Sequence, residues 1–320
     1  MFIYELSAQR ADQEHNSSRQ LNPFFFSLLS LPGGDPTGVF FFTAIFPRNR
    51  CTLYWEGMRD AIENEIPRNA GNGTDGDDTE LVGRESDVVP GRFGEPLQVT
   101  RVQYSRGGGN AAPKRPLFLC LHGWGSNEAD LADMMRYIAP YNDYVSLRAP
   151  LTLQAAGTFA PGAYSWFHDC VPSGEDLDRD AFAASMAIDD WVSQNVPEDR
   201  AVVPIGFSQG GLLAIHLLRV HPERYRASIS LSGFLAPGLV RGTAPADDRI
   251  APLNIPTFFG YGNSDTVIAK PELFAMSAWL DEHTFLTAKS YRGLDHSVSL
   301  DEFSDLRGWL AVHDIAPGIL

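Results

Sequence analysis

Cysteine is scarce. The 320 residues hold three, Cys51, Cys120 and Cys170. An odd count without C-x-x-C spacing argues against a disulfide framework and against a cysteine zinc site. Cys120 lies inside an apolar run and reads as a small buried hydrophobe. A reducing, cytoplasmic compartment is the expectation. Basic residues are also in deficit: 25 Lys and Arg face 40 Asp and Glu, a net charge of −15. That balance argues against nucleic acid or an anionic membrane surface as a partner. No apolar run reaches the ~20 residues a membrane-crossing helix needs. Two patches near the start, 24–31 and 39–46, are each too short, and the breaker Pro32-Gly33-Gly34-Asp35-Pro36 separates them. Glu5, Asp12 and Glu14 crowd the start and no small-residue cleavage site follows, so a signal peptide is not expected. Internal repeats are absent too.

What is present divides in two. Residues 1–92 form an N-terminal segment whose patches read as short strands or loosely structured sequence, with a peripheral membrane or partner contact as the sharper alternative. Its end, 69–78, is rich in Gly, Asn and Asp and has the composition of a linker. Residues 93–320 are orderly. The 44% hydrophobic content of the whole chain suffices for one large domain with an appendage.

In that second part, segment 97–104 alternates like a half-buried strand, and 116–121 is continuously apolar, as expected of a strand covered on both faces. Asn127 can cap a helix faced by Leu131, Met134, Met135 and Ile138. Segment 144–148 reads as a strand, and a loop rich in Gly, Pro and aromatics follows from 150 to about 176. A helix faced by Ala181, Ala184, Ile188 and Trp191 leads to a strand ending at Gly206. Pro204 is awkward in a central strand, because it offers no ladder donor, and a local irregularity is expected there. Further strands at 227–232, 257–261 and 285–291 alternate with helices faced by Leu273, Met276 and Leu280 and by Phe303, Leu306 and Leu310. Alternation of this kind predicts a parallel, doubly wound α/β sheet with ligands at the strands' carboxyl ends.

The most informative stretch is Gly206-Phe207-Ser208-Gln209-Gly210, a G-x-S-x-G between a strand and a helix. There a serine hydroxyl projects from a sharp turn, and the helix N-terminus aims N–H groups at the space beside it. A serine needs a base within hydrogen-bond reach, and the base needs a third group to fix its tautomer. In this fold type the order is Ser, then Asp or Glu, then His. His283, His296 and His313 lie late enough, and His296 alone sits on a short loop after the last strand. Asp265, Asp281 and Asp295 are the acids to weigh. Asp265 follows a strand end, whereas Asp281 lies on a helix and Asp295 adjoins the histidine. The oxyanion donors are expected to be the backbone N–H groups of Gln209 and of Trp124, in the loop His122-Gly123-Trp124-Gly125. His122 precedes Ser208, the wrong order for the base, and reads as a brace for that loop. Trp124, Trp166 and Phe167 come from loops on the same side and are expected to line an acyl pocket, with loop packing as the alternative.

The chain resembles the phospholipase/carboxylesterase family of α/β-hydrolases, which includes the acyl-protein thioesterases. The residues that carry the resemblance are Leu121-His122-Gly123-Trp124-Gly125, Arg148-Ala149-Pro150, Ser165-Trp166-Phe167, Gly206 through Gly211, Ser232-Gly233, Asp265 through Ile268, and His296. It spans about 94–314. It implies hydrolysis of carboxylic esters or thioesters by a hydrolase without a large cap domain and without a metal or cofactor, with Ser208, Asp265 and His296 as triad. The family commonly has His-Gly ahead of the acid, where this chain has Tyr261-Gly262. Lacking a clear lid, the chain is expected to take short to medium acyl chains. A hydrolase fold acting only as a binding protein, and an acyltransferase, are the competing readings. Oligomeric state is left open.

Overall fold

The computed structural model describes residues 39–40, 96–157, 161–168 and 173–317. The N-terminal segment and its linker lie outside the described residues, apart from 39–40. Eleven strands and six α-helices are described among these residues. They are β1 (Val39–Phe40), β2 (Val102–Tyr104), β3 (Leu117–Leu121), α1 (Ala129–Ile138), β4 (Tyr144–Leu147), β5 (Leu151–Gln154) and β6 (Ala163–Ser165). Then come α2 (Gly174–Asn195), β7 (Val202–Phe207), α3 (Gln209–Val220), β8 (Ser228–Leu231), the short α4 (Asp247–Ile250) and β9 (Pro256–Gly262). The chain closes through α5 (Lys270–His283), β10 (Phe285–Tyr291), β11 (Val298–Ser299) and α6 (Leu300–Val312).

Seven strands form the main sheet in the order β10-β9-β8-β7-β3-β4-β2. All neighbours are parallel except the edge strand β2, which runs antiparallel to β4. This is the expected doubly wound α/β-hydrolase sheet. Alternation along β3 explains why its residues are all apolar. Leu117, Leu119 and Leu121 join a core layer with Leu177, Ala181, Ala184 and Ile188 of α2 and Leu213 and Leu217 of α3. Phe118 and Cys120 join the opposite layer, with Leu131, Met135 and Ile138 of α1 and Phe303, Leu306 and Leu310 of α6. Every residue of β3 is buried. With helices on both faces, a polar side chain at any of these positions would be stranded without water.

Pro204 sits inside β7, paired with Leu119 of β3. On the other side the register steps by one residue between the Val202–Tyr225 bridge and the Ile205–Ile229 pair. The proline, which has no N–H to donate, falls in that step. Two expectations need adjustment. Hydrogen bonding makes only Val102–Tyr104 of the expected strand 97–104 a strand, although Leu97, Val99 and Val102 pack on the core as their alternation implies. The loop from 150 carries a small antiparallel hairpin, β5–β6.

The topology positions the site. The chain steps from β3 outward to β4, then returns to the other side of β3 as β7. The crevice at the carboxyl ends of β3 and β7 is therefore a switch point, where ligands bind in open α/β sheets. No helix among the described residues is long and apolar enough to cross a membrane.

Candidate active site

Ser208 stands between the last residue of β7 and the first of α3, with φ 56° and ψ −116°. That conformation costs a non-glycine residue on the order of 1–3 kcal/mol and persists only where the surroundings enforce it. They do so here. The Ser208 N–H donates to Leu231 O at 2.9 Å, and Leu212 N–H donates to Ser208 O at 3.0 Å. The flanking glycines leave no room for anything larger: a Cβ on Gly206 would lie 1.9 Å from Gly210 O, and one on Gly210 would lie 1.9 Å from Leu121 O. Strand, helix start and the end of β3 are thus in backbone contact, with the serine pushed out at the rim.

His296 reaches the serine from the loop between β10 and β11. Its Nε2 lies 3.0 Å from Ser208 Oγ, and its Nδ1 lies 2.8 Å from Asp265 Oδ2. Asp265 follows β9, and its side chain is fully buried beneath the imidazole. The other oxygen, Oδ1, accepts from Val267 N–H and Ile268 N–H, both at 2.8 Å. An ionised carboxylate only accepts, so the Asp265 contact puts the histidine proton on Nδ1 and leaves Nε2 to accept from the Ser208 hydroxyl. The ring also packs on Phe207, centroid to centroid 4.9 Å. The structure therefore brings together the three residues that the motif, chain order and loop position singled out.

The rival residues have other partners. His283 Nδ1 lies 2.8 Å from Trp279 O, and its ring stacks on the Trp279 indole. His313 packs on Trp309. Asp281 is exposed on α5. Asp295 accepts from backbone and side chain with Oδ1 rather than touching the imidazole: Thr266 N–H at 2.8 Å, Thr266 Oγ at 2.9 Å and its neighbour His296 N–H at 2.8 Å. Burial works against its charge, but these donors outweigh that effect and hold its pKa below the usual aspartate value.

The loop after β3 is a braced frame. His122 is fully buried, its Nδ1 lies 2.7 Å from Gly123 O, and its Nε2 accepts from Ala149 N–H at 3.0 Å. Burial lowers its pKa to about 4, so it stays neutral and holds this pair of bonds at neutral pH. Gly125 N–H donates to Tyr164 O, and Tyr164 N–H donates to Ser126 O, both at 2.9 Å. Trp124, half-buried, sits in this frame after β3, while Gln209 opens α3 beside Ser208. A helix's first N–H groups have no intrahelical partner and face an anion well.

The aromatic expectation is corrected in two of its three members. Trp166 and Phe167 are 0% and 1% exposed and belong to the core layer under the site. Trp166 Nε1–H donates to His122 O at 2.9 Å, and its backbone N–H donates to Gln209 Oε1 at 3.2 Å. They pack the loops, since an indole aimed inward buries a large apolar area and still satisfies its N–H. The Gln209 side chain, also missed from the sequence, ties the 165–167 loop to the elbow. A surface hollow of 590 Å³ lined by Arg200, His221 and Arg224 lies at the opposite, amino end of β7. Among the described residues, no group of three His, Cys, Asp or Glu side chains is arranged to hold a metal ion.

Comparisons with known proteins agree with this architecture. The sequence model described as Phospholipase/Carboxylesterase matches residues 109–314. Acyl-protein thioesterase 1 of Saccharomyces cerevisiae is 26% identical over 219 residues, covering 62% of this chain and 92% of the yeast protein. The Kluyveromyces lactis acyl-protein thioesterase 1 is 25% identical over 237 residues, covering 68% of this chain and 97% of that protein. In structure, Zea mays acyl-protein thioesterase 2 superposes with a TM-score of 0.53 at 19% identity, over 67% of this chain and 98% of the maize protein. That likeness carries the fold.

Proposed function

The chain belongs to the phospholipase/carboxylesterase family and is a carboxylesterase-type hydrolase, and from that premise we propose that it cleaves carboxylic esters or thioesters through Ser208, His296 and Asp265. One observation carries the proposal: the unbroken run of contacts from Ser208 Oγ to His296 Nε2, 3.0 Å, and from Nδ1 to Asp265 Oδ2, 2.8 Å, at the carboxyl end of the sheet. A binding-only reading leaves that run, and the strained backbone beneath it, without a task.

In the proposed cycle Ser208 Oγ attacks the acyl carbon while His296 Nε2 takes its proton. Asp265 holds the Nδ1–H and stabilises the imidazolium. The charge that collects on the carbonyl oxygen is met by the N–H groups of Gln209 and Trp124. The C–O or C–S bond to the leaving group then breaks, and His296 returns the proton to the departing alcohol or thiol. The acyl group is left on Ser208. Water repeats the sequence, with His296 as base, and releases the carboxylic acid and free serine.

Short to medium acyl chains remain the proposed substrates, with Trp124 as the aromatic wall. The relatives named acyl-protein thioesterases make a thioester the second chemistry to assay. Residues 93–320 are proposed to form the catalytic domain, acting in the cytoplasm. A ladder of p-nitrophenyl esters with increasing chain length, run beside an acyl thioester, tests the substrate class. A fluorophosphonate probe followed by peptide mapping tests the nucleophile. Label on a serine other than Ser208 would overturn the assignment.

A further inference from the structure

The acid and the base of the candidate triad stand on two separate loops, one after β9 and one after β10. Core side chains lie a little beyond each of them, Ile268 after Asp265 and Val298 after His296, but several nearer residues are exposed. Thr266, Asn263, Ser264 and Asp295 are all exposed, and so is Gly293. Yet the two loops are hydrogen-bonded to each other at several points. Asn263 N–H donates to Tyr291 O at 3.0 Å, Gly293 N–H donates to Asn263 Oδ1 at 2.8 Å, and Ser264 N–H donates to Leu294 O at 3.0 Å. The seam then reaches the catalytic end. There a single atom, Asp295 Oδ1, accepts from Thr266 N–H, Thr266 Oγ–H and His296 N–H at 2.8, 2.9 and 2.8 Å. Thr266 is next to Asp265, and Asp295 is next to His296. The carboxylate therefore fixes the backbone on both sides of the Asp265–His296 contact.

Resting on the triad reading above, we propose that Asp295 is a positioning residue that clasps the acid loop to the base loop. It does not touch the imidazole and takes no proton. Its work is to hold the His296 backbone at the height where Nδ1 meets Asp265 and Nε2 meets Ser208 at once. Three donors converge on one oxygen, which a charged acceptor accommodates better than a neutral one. Misplacement of a catalytic group by about 1 Å costs on the order of a hundredfold in rate.

The clasp makes unequal demands on three variants. Asp295→Ala removes the acceptor and should lower kcat per titrated active site by about ten- to a hundredfold, with KM changed less than about threefold. Asp295→Asn keeps an Oδ1 acceptor in place and should recover kcat to within about threefold of the parent protein. Thr266→Val removes one of the three donors and should lower kcat by a smaller factor than Asp295→Ala. Active sites are counted by the burst with a fluorophosphonate, so that loss of folded protein does not pass for loss of rate. Asp295→Ala with parental kcat per titrated site overturns the proposal, as does Asp295→Asn as slow as Asp295→Ala. If Asp295→Ala yields no folded protein, Thr266→Val decides: parental kcat there overturns the clasp. Failure of the triad reading looks different, because Ser208→Ala would then retain esterase activity.

Discussion

The nucleophile and its partners are held by different balances of sterics and hydrogen bonding. Ser208 is fixed largely by sterics: a Cβ at Gly206 or Gly210 would lie 1.9 Å from a backbone oxygen, so only glycine fits, with a strand on either side of β7 and a helix behind. Asp265 and His296 are fixed mainly by hydrogen bonds between two loops in which Ser264, Thr266 and Asp295 are exposed, with a close backbone approach at Gly262 and core side chains at Ile268 and Val298. The elbow belongs to the fold and comes into being with the sheet. The two loops lie beyond the ends of β9 and β10 and are not part of the sheet ladder. Substitutions near the elbow should therefore damage folding or abolish chemistry outright, whereas substitutions in the loops should give folded protein with graded rates.

Ser208→Ala marks the upper end of that scale. Loss of the nucleophile should reduce kcat by on the order of a millionfold, leaving what the oxyanion donors and binding supply. Thermal melting should stay near the parent value, because the smaller residue removes no core contact. Activity of Ser208→Ala within tenfold of the parent would show that another residue is acylated. Asp265→Asn comes next. The amide favours the wrong imidazole tautomer, and kcat should drop by up to about ten-thousandfold with the circular dichroism spectrum unchanged. Asp281→Asn on the same ester should stay within about tenfold, since Asp281 is exposed on α5 and the His296 Nδ1 is paired with Asp265. Should Asp281→Asn be the crippled protein, the acid assignment fails.

The contrast also explains what the sequence could and could not disclose. Sterically determined features were legible. The continuous apolar run of β3 follows from two covered faces. The glycines around Ser208 follow from backbone crowding, and the trouble at Pro204 from its missing donor. Position on a loop after a strand end then picked Asp265 and His296 out of the six candidates that chain order allowed, because strand ends in a doubly wound sheet all point to one rim. Direction within loops was not legible. Trp166 and Phe167 carry no periodicity to say whether they face the crevice or the core, and they face the core. The β5–β6 hairpin lay hidden in a stretch rich in Gly and Pro. The Asp295 clasp joins residues 29 apart in sequence, and adjacency to His296 made it look only like a poor rival for the acid.

Stability should respond to a buried acid outside the triad. Glu302 lies on the first turn of α6 and is fully buried, its Oε1 within 2.1 Å of where a Cβ on Gly260 would lie. Burial, with the Asp305 charge adding and the Ser299 hydrogen bond opposing, pushes its pKa up from 4.5 to about 8. The folded protein thus keeps a proton that the unfolded chain releases above about pH 4.5, so stability falls as pH rises from about 4.5 to 8. Glu302→Gln abolishes this linkage. The melting temperature of the variant should gain on the parent by several degrees between pH 5 and pH 8, corresponding to roughly 4 kcal/mol at most. His122 works in the other direction. Its folded pKa of about 4 against 6.5 means stability is lost as pH falls through that window. A melting difference independent of pH would mean that Glu302 is ionised in the fold.

The smallest expected effect tests where the chemistry ends. Residues 109–314 match the family, and every residue of the candidate site lies within them. The one described contact from the preceding segment is the two-residue strand β1, paired antiparallel with β11 through Val39–Ser299 and Phe40–Val298. That contact matters for the comparison, because β11 follows His296 closely and so borders the loop-held half of the site, not the elbow. Val298 and Ser299 have further restraints of their own. Val298 is buried in the core layer with Phe303 and Leu306, and Ser299 Oγ caps α6 by accepting from Glu302 N–H at 3.1 Å. Those restraints should keep the base loop in place without β1. A chain beginning at about Pro90 is therefore expected to hydrolyse a soluble ester with kcat/KM within about threefold of the full chain. If it folds by circular dichroism, takes up fluorophosphonate fully and yet turns over much more slowly, β1 is part of what positions His296. The seam between the two loops would then be only half of the restraint on the base.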